Sequence, residues 1–256
     1  ASDTLGLGYN DIEVVVPDTH VVPDSGPTVA SRTCMVVGGL VHKACLKLKN
    51  ELETQKVDFK NFKNSAQKIF NKNGAMTQHA QYEKPQHVQW DDQTYRGDAY
   101  GVYAWAAVVA QVEIDLSTYE TKLTDLFSSV DIGKAIHPLL TEGQIEGGML
   151  QAAGYALTEE LIWKDGRILN NTLTNYIIPT AMDAPKMHVS LVENPYKYGP
   201  FGAKGVGELP MDGPAPAIVG AIAQATGRLI PRIPVTPERL MNYLEKKDFR
   251  ETMVWS

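Results

Sequence analysis

The chain has 256 residues, 43% of them hydrophobic and 21% charged, with a formal net charge of −6. This is an ordinary globular mixture, and its negative charge gives no bulk attraction to nucleic acid or to an anionic membrane surface. No apolar run approaches the ~20 residues needed to span a bilayer, no leader-like segment is read at the start, and the two cysteines form no disulfide framework or C-x-x-C pair, so the expected setting is cytoplasmic.

In chain order, the opening residues read as a helix end stopped by Gly6 and Gly8. "DIEVVV", 11–16, then reads as a strand closed by Pro17. "VVPDSGPTVASRT" is a Pro/Gly/Ser-rich loop, and "TCMVVGGLVHKACLKLKNELETQK" is a long helix with apolar positions three and four apart. Residues 57–90 carry no clear period. "AYGVYAWAAVVAQVEIDLSTYETKLTDLFSSVDIG" predicts two or three strands, with "DLST" as a hairpin turn. "TEGQIEGGMLQAAGYALTEELIW" predicts a helix and "KDGR" a turn. "ILNNTLTNYIIP" is extended, "KMHVSLVEN" a strand, "PAPAIVGAIAQAT" a buried helix and "TPERLMNYLEKK" an exposed amphipathic one. Helices and strands interleave without βαβ regularity, which predicts an α+β fold. No linker separates independent domains.

Three stretches are candidates for chemistry. In the loop 25–33, Ser25, Thr28, Ser31 and Thr33 precede a helix whose first N–H groups suit a polar or anionic ligand; plain helix capping is the alternative. In "EGQIEGGMLQAAG", Gln144, Glu146 and Gln151 sit among small residues, with Gln144 and Gln151 seven apart on one face. A buried Gln144 amide would read a heterocyclic ligand with donors and acceptors, whereas a solvated helix face is the alternative. In "GPFGAKGVGELP", Glu208 stands before a helix among Val206, Leu209, Pro210 and Met211. It is either a carboxylate at a helix end or a general base in a partly dry site. Rossmann, Walker, nucleophile-elbow and H-E-x-x-H patterns are absent.

Together, and in this order, the three stretches resemble the molybdenum-cofactor subunit of the xanthine dehydrogenase/aldehyde oxidase family, the molybdenum hydroxylases. "VVPDSGPTVAS" resembles its V-P-x-(S/T)-x-P-T-x-A-S loop, "GQIEGGMLQAAG" its G-Q-(V/I)-E-G-x-x-x-Q-x-x-G segment, and "KGVGE" its K-x-V-G-E motif. His137 stands where the family pattern has Asn before Pro138.

The resemblance implies that residues 1–256 are a C-terminal molybdopterin-binding portion, incomplete without an N-terminal partner segment. It implies Glu208 as the general base in a hydroxylation whose oxygen comes from water. Thr28, Val29, Ala30, Ser31, Thr33, Gln144 and Gly207 would then cage the cofactor, Ala30 nearest the metal. Gly205 and Gly207 would let the backbone approach the cofactor closely. The implied cofactor is molybdenum–molybdopterin in its cytosine dinucleotide form, with 2Fe-2S clusters and FAD on partner chains, and the implied substrate is a heterocycle or an aldehyde. A non-catalytic assembly subunit with the same fold is the competing expectation.

Overall fold

A computed structural model describes residues 1–245, so the end of the predicted last helix, Lys246 and Lys247, lies outside the described residues. The chain forms two compact units, one of Ala1–Tyr103 with Pro195–Gly205 and one of Ala104–Asn194 with the residues from Val206 onward. No linker makes this division, because the chain crosses it at 103/104, 194/195 and 205/206.

The first unit is built on helices. Short α1 (Ser2–Leu5) ends at Gly6, whose φ of 70° supplies the left-handed residue that stops a helix. Long α2 (Thr33–Thr54) carries His42, whose Nδ1 lies 2.8 Å from the Thr4 hydroxyl and whose ring packs 4.7 Å from Phe201. α3 (Phe62–Asn73) and a two-strand ribbon, β1 (Trp90–Asp91) with β2 (Arg96–Gly97), complete it. Its core is thin: Leu5, Leu52, Val57, Val88 and Ala203 are buried.

The predicted strand 11–16 does not form. Tyr9–Asp11 make a single 3₁₀ turn, and Val14 beyond it is 88% exposed. A strand needs a neighbour to take its N–H and C=O groups, and no described strand pairs with this segment.

The second unit holds the main core. β3 (Ala106–Asp115) and β4 (Glu120–Asp131) form the predicted antiparallel hairpin, with a register shift between Gln111 and Val112. β4 continues through the helical crossover α4 (Pro138–Leu157), a two-strand ribbon of β5 (Trp163–Lys164) and β6 (Arg167–Ile168), and then β7 (Lys186–Val192). β7 lies parallel to β4, giving the sheet order β3-β4-β7, as a parallel pair with a long crossover requires. Short α5 (Leu209–Asp212), α6 (Pro214–Thr226) and α7 (Pro237–Glu245) follow.

Alternation along the strands puts Val108, Ala110, Val112 and Ile114 of β3 and Met187, Val189 and Leu191 of β7 against the core. There they meet Leu126 and Val130 of β4, Ile145 and Met149 of α4, and Ile218 and Ile222 of α6. The α+β expectation holds.

α4 differs from its predicted span at both ends. It starts earlier because Pro138 occupies the first turn and the His137 side chain accepts the Leu140 N–H at 3.3 Å. It stops at Leu157 although apolar residues continue. Buried Asn170 takes the backbone groups a longer helix would use: it accepts from Ile162 N at 2.9 Å and donates to the Glu160 carbonyl.

Candidate functional site

The loop 25–33 belongs to the first unit. Asp24 accepts from the Gly26 N–H at 2.8 Å, and Gly26 has φ 70°. The Arg32 guanidinium folds back onto the Ser25 carbonyl at 2.9 Å and the Pro27 carbonyl at 2.8 Å. Ala30 and Ser31 both have positive φ, 53° and 52°, a conformation rare outside glycine and concentrated where function over-determines the backbone. Arg32, the residue before α2, is right-handed and its side chain makes no cap. A left-handed residue before a right-handed one turns successive N–H groups inward, a geometry that suits anionic oxygens. Thr28, Val29 and Thr33 are exposed, and Ala30 and Ser31 half-buried.

Gly205 is the point where the "GPFGAKG" segment meets this loop. A Cβ there would lie 1.6 Å from the Ser31 carbonyl oxygen. Its lack of a side chain is therefore explained by the chain's own backbone, where the resemblance implied cofactor approach. The segment is tightly folded: Gly199 would strike the Ala203 carbonyl and Gly202 the Pro195 ring, and Lys204, 6% exposed, donates from Nζ to the Tyr103 carbonyl at 3.2 Å.

In the second unit, α4 and α5 face each other across a cleft of about 410 Å³. Gln144, Gly147, Gly148 and Gln151 line it from α4, at the i, i+3, i+4, i+7 spacing of one helical face. Gly207, Glu208, Met211 and Asp212 line it from the other side. The helices come this close because residue 148 is glycine, where a Cβ would lie 2.8 Å from the Pro210 ring. Gln144 Nε2 donates to the Gly207 carbonyl at 2.9 Å, tying α4 to the residue before Glu208. Glu208 stands before the first residue of α5, and its carbonyl accepts from Met211 N at 2.9 Å.

The structure thus joins Gln144, Gly207 and Glu208 in one cleft and holds Thr28–Thr33 in a strained loop of the other unit. Gln144 and Glu208 are exposed rather than buried. The reason lies in α4 itself: Ile145, Met149, Ala152 and Ala156 turn to the core, and the Gln144–Gln151 row is one residue, about 100°, out of phase with them. Arg32 and Asp212 escape a reading of the sequence. A lone arginine beside a Gly-Pro turn is a usable signal for the first; nothing in the sequence marks the second.

The cleft also tests whether a flat, polyoxygenated ligand fits. Gly147 lies on its floor, and a Cβ there would have no heavy atom of the chain within 4 Å. A glycine inside a helix costs about 1 kcal/mol relative to alanine, and here no packing neighbour requires it. Bare backbone at Gly147 admits a flat ring, and the Gln144 amide can both donate and accept.

Comparison with known proteins identifies the chain. A family profile described as a molybdopterin cofactor-binding domain matches residues 1–185. The chain belongs to the molybdopterin cofactor-binding domain family. The match includes the loop 25–33 and Gln144 but ends before Gly207 and Glu208. A probable xanthine dehydrogenase subunit from Bacillus subtilis (strain 168) is 30% identical over 97% of this chain and 35% of its own length. An aldehyde oxidoreductase of Megalodesulfovibrio gigas is 31% identical over 94% of this chain and 26% of its own length. The solved aldehyde oxidoreductase from Desulfovibrio gigas superposes with a TM-score of 0.80 at 29% identity, covering 95% of this chain and 26% of that one. This molybdopterin-binding chain therefore spans about a quarter to a third of the length of these relatives. Among the described residues no helix is long and apolar enough to cross a membrane.

Proposed function

We propose that this chain forms one part of the active site of a molybdenum hydroxylase of the xanthine dehydrogenase/aldehyde oxidoreductase type. The observation that carries the reading is the α4–α5 cleft, where Gln144 is bonded to Gly207 beside Glu208 in a chain of the molybdopterin-binding family. When bound, the molybdenum–pterin group supplies two-electron oxidation of an electron-poor carbon.

The chain's residues do the rest. Glu208 accepts the proton released from water-derived oxygen and holds it on its carboxylate. Gln144 spends one amide N–H on Gly207 and keeps Oε1 as an acceptor for a pterin N–H. Thr28, Val29, Ala30, Ser31 and Thr33 offer backbone and hydroxyl groups to the cofactor from the loop. The proposed cofactor form is the cytosine dinucleotide, the substrate a heterocycle or an aldehyde, and the setting cytoplasmic. The remaining cage comes from an N-terminal portion of the molybdenum subunit, and electrons leave through partner 2Fe-2S and FAD modules.

Two substitutions test this reading in the assembled complex. Gln144→Ala removes the acceptor offered to a cofactor donor, which the bound cofactor would shield from water, at roughly 1–3 kcal/mol. Molybdenum content after dialysis, read by elemental analysis, is expected to fall severalfold while the circular dichroism spectrum is unchanged. Gly147→Ala is expected to raise the melting temperature, since helix propensity improves by up to about 1 kcal/mol, and to lower molybdenum content. A stabilised Gly147→Ala protein with full molybdenum would remove the cofactor from this face of α4.

A further inference from the structure

A separate groove of about 910 Å³ lies wholly within the second unit, beside the β3–β4 hairpin. Leu150 and Leu157 of α4 line it with Leu123 of β4, and Ile177, Ile178 and Met182 line it from the segment between β6 and β7. The last three are 52%, 45% and 92% exposed, so apolar surface stands open to water. The polar lining is Glu113, Asp115, Glu120 and Asp183 against Lys122, four carboxylates and one ammonium with a net charge of −3. α7 begins on this groove, at Pro237, and ends beside it. Tyr119, in the hairpin turn between the lining residues Thr118 and Glu120, donates its hydroxyl to Glu245 Oε1 at 3.0 Å. The chain therefore leaves Glu245 at the acidic rim. The eleven residues that follow, KKDFRETMVWS, carry Lys246, Lys247 and Arg250 against Asp248 and Glu251, three cations and two anions with a net charge of +1. They also carry Phe249, Met253, Val254 and Trp255.

We propose that residues 246–256 are the occupant of this groove, their basic residues meeting the carboxylate rim and their aromatic residues covering the apolar floor. Charge, reach and tethering all favour this segment. Eleven extended residues reach up to about 36–40 Å, enough to cross the groove from Glu245. The tether makes the contact intramolecular, at an effective concentration in the ~mM range for a short linker, so modest contacts suffice. Burying the exposed Ile177, Ile178 and Met182 side chains removes apolar area from water. A second copy offering the same face would set one net-negative rim against another, and like charges opposed across an interface are disfavoured. Docked here, the segment braces the Leu150–Leu157 row of α4, the helix whose Gln144 row lines the other cleft. The inference does not rest on the function proposed above.

The test uses the full chain in its assembled complex, with the photo-cross-linker p-benzoylphenylalanine in place of Met182 and, in a second protein, in place of Ile177. Both positions are exposed, so the fold should tolerate the change. After irradiation, mass spectrometry is expected to map the cross-link into residues 246–256, in a product that migrates at the mass of one chain. Glu120→Lys is expected to lower the yield severalfold, and Lys246→Glu with Lys247→Glu in the same protein to recover most of it. A product at twice the chain mass would give the groove to a second copy, and a cross-link to another chain would give it to that partner. Either result, or no cross-link into 246–256 from both positions, overturns the assignment. A yield untouched by Glu120→Lys overturns it too, because the charged rim would then have no part in holding the segment. None of these readouts depends on bound cofactor, so they stand apart from the molybdenum measurements.

Discussion

Replacing Glu208 by glutamine is expected to slow reduction of the metal centre by substrate about 10²–10⁴-fold, the usual contribution of a general base. Glutamine keeps the shape of the side chain and removes its basicity. Substrate affinity should change much less, because the lost interaction belongs to the transition state. The pH profile supplies the sign. A general base acts in its ionised form, so the acid limb of the rate profile in the unsubstituted complex should vanish in the variant. Anaerobic stopped-flow reduction across pH reads both. A variant that reduces at the unsubstituted rate with the same acid limb would leave Glu208 as a plain helix-end carboxylate.

Gly205→Ala is expected to be the most damaging substitution of an apparently innocuous kind. Its Cβ would lie 1.6 Å from the Ser31 carbonyl oxygen and 2.7 Å from the carbonyl carbon, so backbone rather than a flexible side chain must give way. Overpacking typically costs about 1–3 kcal/mol, and a backbone clash belongs at or above the top of that range. Both segments lie in the first unit, so the displaced element is the positive-φ turn at Ala30 and Ser31. The expected result is earlier thermal unfolding and faster proteolysis near residues 25–33, with loss of bound cofactor in the complex. Gly143→Ala is the matching control, because a Cβ there meets nothing within 4 Å. Equal melting temperatures for the two variants would contradict this packing.

The regular elements are legible because their periods are strong. The alternations in 106–115 and in 186–192 each encode a half-buried face. The segment 11–16 has the same local signature as a strand and fails because pairing depends on distant chain, which composition does not record. Asn170 shows the same limit at the end of α4: one amide, eight residues from Ile162, decides where a helix stops.

At the site, residue types and order are readable, and exposure is not. Gln144 has the look of a buried amide because its neighbours are small, yet the core face of α4 is set by Ile145 and Met149 one residue out of phase. Gly205 suggests room for a ligand and makes room for the Ser31 carbonyl. Only tertiary contact separates those meanings. Asp212 stays invisible because a single exposed aspartate carries no pattern until the cleft around it is seen.

We propose above that this chain holds molybdenum–pterin with its partners. The most direct measurement is elemental analysis of the purified complex, combined with mass spectrometry of the pterin released on denaturation. Molybdenum is expected in stoichiometric amount with this chain, together with a pterin dinucleotide carrying cytosine. A complete complex that contains neither molybdenum nor pterin would contradict it.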